Sequence, residues 1–71
     1  SEVIRKQAAL AREDLAFDTK LAEELQARED PASRWEGAAI EAALPKWEWH
    51  VVFLEQLALG LAPTPHGALS A

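Results

Sequence analysis

Residues 27–36 read Ala27-Arg28-Glu29-Asp30-Pro31-Ala32-Ser33-Arg34-Trp35-Glu36, and this stretch divides the chain. Pro31 cannot donate a backbone hydrogen bond and is tolerated in the first turn of a helix, while Asp or Ser just before or within that turn can cap its free N–H groups. Asp30-Pro31 and Ser33-x-x-Glu36, which fits a capping box, are therefore overlapping signals for a helix start. The chain must turn just before Pro31 and coil beyond it.

Upstream, from Glu2 to about Arg28, there is no Gly or Pro, and Ile4, Ala8, Ala11, Leu15, Ala22 and Leu25 recur at helical spacing. A second stripe runs Val3, Leu10, Phe17, Leu21, so the apolar face is broad, with Arg5, Lys6, Arg12, Glu13, Lys20, Glu23 and Glu24 on the solvent side. A continuous helix here is about 40 Å long at ~1.5 Å per residue. A short partner segment cannot cover that length, so the expectation is a break near Phe17-Asp18-Thr19 or cover from another chain. Ala-Arg-Glu-Asp occurs at Ala11–Asp14 and again at Ala27–Asp30; common helix-surface residues explain the repeat.

Downstream, the face Trp35, Ala38, Ala39, Ala42 combines one large anchor with small residues that let a neighbouring helix approach. Pro45 disfavours helical geometry at Leu44, predicting an end or kink there. From Lys46 to Leu61 one apolar stripe runs Trp47, Val51, Leu54, Ala58, Leu61 and another Trp49, Phe53, Leu57, while Val52 and Leu59 fall between Glu48, Glu55 and Gln56 on the expected polar side. That helix is apolar nearly all round. The predicted fold is all-α: two to three helices, at about 2–28, 32–44 and 46–61, as a helical hairpin or small bundle. Residues 1–61 form the helical domain, and 62–71, with Pro63, Pro65 and Gly67, an extended tail that is flexible or held by a partner.

Composition narrows the function. A chain of 71 residues is one domain at most and leaves a thin core. Small folds compensate with disulfides, a metal or a partner subunit, and the absence of Cys removes the first option and thiolate chemistry with it. Lack of Cys fits a reducing compartment, and a cytoplasmic location is expected. A net charge of −5 with scattered Lys and Arg argues against nucleic acid and anionic membranes. No apolar run reaches the roughly 20 residues that span a bilayer, and the N-terminal residues are too polar for a signal peptide, so the chain reads as soluble.

Nothing in the sequence assembles a catalytic or cofactor site. A helical metal site needs His and carboxylate three or four residues apart, and His50 has Lys46, Trp47, Phe53 and Leu54 at those offsets. His50 reads as a boundary residue on an apolar face, and His66 as a solvated tail residue. There is no Gly-rich phosphate loop and no nucleophile elbow. No enzyme activity, metal or cofactor is expected. Three Trp in so short a chain are the strongest positive feature. Trp35 and Trp47 read as core-filling and Trp49, on the opposite side of its helix from Trp47, as an interface anchor.

Trp35-Glu36-Gly37, lying between helical segments and followed by an Ala-rich helix, resembles the WXG100 (ESAT-6-like) family. That resemblance implies two helices joined at a Trp-x-Gly turn, with Trp35 and Gly37 as turn residues, and a dimeric substrate of a specialised secretion system. The chain departs from the family in its shortness, in Pro45 and in having no Tyr for the export signal.

The apolar surplus leads to a non-catalytic helical interaction module, an accessory or assembly subunit whose partner is another protein or further copies of itself. Partner-binding residues are expected at Trp49, Val52, Phe53, Leu57 and Leu59. The alternatives are a secreted WXG100-like dimer and a small structural subunit supporting a catalytic partner.

Overall fold

The computed structural model describes residues 1–61; the expected tail, 62–71, and His66 lie outside the described residues. Two antiparallel α-helices, α1 (Glu2–Gln26) and α2 (Pro31–Ala58), are joined by a short turn and form an all-α hairpin. Asp30 caps α2: its carboxylate accepts from the Ser33 N–H at 2.9 Å. Of the two overlapping start signals the earlier one operates, so Ser33 supplies the capped N–H and Pro31 occupies the first turn. At the far end Gly60 has φ +77, and the Gly60 and Leu61 N–H groups return to the carbonyls of Leu57 and Gln56 at 3.0 and 2.9 Å. This is a Schellman closure, which uses the left-handed backbone that Gly adopts without strain.

The seam of α1 runs Ile4, Ala8, Ala11, Leu15, Asp18, Ala22, Leu25, and that of α2 runs Ser33, Gly37, Ile40, Leu44, Trp47, Val51, Leu54, Ala58. Both alternate steps of four and three residues, the repeat of a coiled coil, and every seam residue except Trp47 is buried or half-buried. Packing is closest at Gly37, where a Cβ would stand 2.9 Å from the Ala22 carbonyl oxygen, Gln26 Cγ and Leu25 Cβ. Just beside it the Gln26 amide nitrogen donates to Glu41 Oε2 at 2.6 Å, with the Ala22 and Gly37 carbonyls at 3.2 and 3.5 Å. Nearer the open end the Arg12 guanidinium grips Glu55 through two bonds of 2.6 and 3.1 Å. Two heptads separate Arg12 from Gln26, and two separate Glu55 from Glu41, so one register holds along the hairpin.

Four expectations are corrected. First, α1 does not break at Phe17-Asp18-Thr19, and no second chain is needed along its seam, because α2 is long enough to cover it. Secondly, α2 does not end at Leu44: it runs through Pro45. Pro45 is exposed, and seam contacts at Ile40 and Leu44 before it and Val51 and Leu54 after it hold the helix across a residue that costs about 3 kcal/mol in a helix interior.

Thirdly, the face of α2 that meets α1 is not Trp35, Ala38, Ala39, Ala42, all of which are exposed, but the stripe through Gly37. A Gly on the seam lets the backbones touch, which a face carrying an indole cannot do. Fourthly, Trp35 and Trp47 do not fill the core: they are 82% and 49% exposed. Trp35 and Gly37 also lie inside α2, past the turn at Ala27–Asp30.

In a solvent-exposed helix, Ala is favoured over Gly by about 1 kcal/mol. At Gly37 the new methyl would press on a backbone oxygen that cannot move aside, so Gly37→Ala is expected to lower stability by about 1–3 kcal/mol in urea denaturation followed by circular dichroism. A more stable variant would refute the close contact.

Candidate interaction surface

With the seam closed, each helix has side chains left over, and they are unequally shared between the two edges of the hairpin. One edge is polar. Arg12 and Glu55 bridge the helices there, Gln26 and Glu41 bridge them again toward the turn, and Thr19 Oγ1 donates to the Leu15 carbonyl at 2.8 Å. The hydrogen bond from Arg12, more than simple proximity of charge, holds the Glu55 carboxyl below its usual range and pushes the Arg12 pKa up. Asp30 is likewise lowered, first by its bonds from Ser33.

The other edge is apolar on both helices. In α1, Val3, Leu10 and Phe17 repeat every seven residues and are exposed, Phe17 at 67%. In α2, Trp47 and Phe53 are exposed, and Leu57 is half-buried one turn beyond Phe53. Asp14 lies one turn from both Leu10 and Phe17, and His50 one turn from both Trp47 and Phe53, which places the apolar residues in two rows along the same edge. Asp14, Asp18, Trp47 and His50 line a groove of about 410 Å³ floored by Ala11, Leu15 and Val51. The His50 ring meets Trp47 edge-on, with centroids 6.0 Å apart and planes at 87°. A larger depression, about 720 Å³, lies beside the turn between Gln26 and Glu29 and the outer side of α2 at Trp35.

The five residues expected to bind a partner are not gathered on one surface. Phe53 and Leu57 stand on the apolar edge. Trp49, two residues beyond Trp47, lies on the side of α2 away from α1 and is half-buried, while Val52 and Leu59 flank Glu55 on the polar edge, Leu59 exposed. Val3, Leu10 and Phe17 complete the apolar edge. Their seven-residue spacing is visible in the sequence, but the spacing alone does not say that their row lies beside Phe53 and Leu57.

Among the described residues no group of three or more His, Asp or Glu side chains is placed to hold a metal ion, and no helix is long and apolar enough to cross a membrane. No protein-family model, curated protein or solved structure matches this chain.

The lowered Glu55 pKa gives a pH signature. Its contribution to stability is complete above the ordinary carboxylate value and is lost as the pH falls through the depressed folded value. Glu55→Gln should therefore be less stable than the parent at neutral pH and lose less on acidification, so that the two denaturation midpoints converge below about pH 4. Parallel curves from pH 7 to pH 2 would mean that the Arg12–Glu55 bridge does not form.

Proposed function

We propose that this chain is a non-catalytic helical interaction module whose two-helix apolar edge is completed by another protein surface. The observation that carries the reading is the alignment of Val3, Leu10, Phe17, Trp47 and Phe53, five of the eight exposed large apolar residues described, along one edge, opposite an edge bridged by hydrogen-bonded polar pairs. Scattered exposed apolar residues are ordinary, but a contiguous patch of large ones rimmed by polar groups marks a place where protein is bound. The hairpin also needs such cover. Among the described residues the buried apolar ones are Ala8, Ala22 and Val51, and the larger seam residues Ile4, Leu15, Leu25, Ile40, Leu44 and Leu54 are only half-buried, a thin core for a folded chain. A helical edge of this kind suits an accessory or assembly subunit, which acts through packing.

The test is site-specific photo-crosslinking. A benzophenone side chain placed at Leu10 or Phe53 should yield discrete protein adducts in the cells that make the protein, and the same group at Lys20, on the solvent side of α1, should not. Equal labelling from all three positions, or none from any, would overturn the reading.

A further inference from the structure

Resting on that reading, we infer that the partner is a second copy of this chain, related by a two-fold axis running parallel to the helices over the Asp14–His50 groove, giving an antiparallel four-helix bundle. The polar groups on the apolar edge choose this arrangement. The α1 half of the edge carries Asp14 and Asp18, one turn apart, and the α2 half carries His50 and Lys46, one turn apart in the opposite chain direction. A two-fold axis parallel to the helices lays each α1 over the other copy's α2. Asp14 then meets the partner's His50, and Asp18 meets the partner's Lys46. An axis perpendicular to the helices instead lays α1 on α1, so that the acidic pairs face each other, and juxtaposed like charges at an interface are costly.

The apolar residues agree with the charges. Leu10 and Phe53 lie one turn from Asp14 and His50 toward the open end, and Phe17 and Trp47 one turn from the same two residues toward the turn end. In the parallel-axis arrangement Leu10 packs on the partner's Phe53 and Phe17 on the partner's Trp47. Each contact occurs twice, as an isologous interface requires. The exposed parts of Val3, Leu10, Phe17, Trp47 and Phe53 supply on the order of 600 Å² per copy, and the Ala and Leu residues between them bring the edge near the roughly 800 Å² per partner that a stable complex buries. The closed assembly also gives each helix the wide apolar stripe of a four-helix bundle, seam plus one flank, where the hairpin alone uses only the seam.

Charge exchange between copies tests the inference. Asp18→Lys puts a positive charge opposite the partner's Lys46, and Lys46→Glu puts a negative charge opposite the partner's Asp18, so each variant alone should dimerise at least about tenfold more weakly in analytical ultracentrifugation. Mixing the two should restore a dimer containing one copy of each, because both cross-copy pairs become opposite in sign while the pairs within each copy stay alike. Circular dichroism of each variant checks that the hairpin still folds. Restoration on mixing is the expected result. A parent chain that stays monomeric at high micromolar concentration, or a mixture no more associated than its components, overturns the self-pairing. Crosslinks from Leu10 to a different protein, with the parent monomeric, would defeat the self-pairing and leave the interaction module standing.

Discussion

The contact of Gly37 with Ala22 and Leu25 sets the rest of the hairpin. Where a residue of α2 without a side chain meets the backbone of α1, the helices come together at van der Waals distance, and the Gln26 amide beside them is close enough to reach Glu41. From that point the heptad repeat carries the register to the open end, where Arg12 finds Glu55. The small residues Ala8, Ala22 and Ala58 hold that close spacing along the seam. A larger residue at Gly37 would have to push the helices apart or slide them past one another.

Close approach also limits what the seam can bury. Where the helices meet through Gly37 and Ala22 they bury little apolar area, since Ala and Gly contribute small side chains or none. Among the described residues eight large apolar side chains are exposed: Val3, Leu10, Phe17, Trp35, Trp47, Phe53, Leu59 and Leu61. Five of these eight, Val3, Leu10, Phe17, Trp47 and Phe53, line one edge, beside a seam whose own large residues, Ile4, Leu15, Leu25, Ile40, Leu44, Val51 and Leu54, are buried or half-buried. On the other edge the Arg12 guanidinium and the Glu41 and Glu55 carboxylates are matched within the chain.

Helical class, the turn near Pro31 and the two apolar stripes of α1 are legible in the sequence, because capping chemistry and three-to-four spacing are local properties of the chain. Pro45 misleads, because its local conformational cost is visible in the sequence while the packing on both sides that offsets it is not. Trp35 misleads because indole size suggests burial, whereas the seam has room for Gly37 and none for Trp35. Half of the candidate surface is legible in the same way: Phe53 and Leu57 stand out as surplus, while the row Val3, Leu10, Phe17 is visible as a stripe with nothing to say what it adjoins.

The sequence by itself determined an all-α chain, the helix start at Asp30-Pro31 and the apolar stripes of each helix, since each of these comes from residues within a few positions of one another; whether there were two helices or three it left open at Phe17–Thr19 and at Pro45. Only the tertiary structure decided which stripe of each helix became the seam. That choice depends on matching small residues across two helices, Ala22 against Gly37, and no single helix contains the information. With the seam fixed, the remaining faces were assigned by geometry, polar pairs on one edge and aromatic and aliphatic residues on the other.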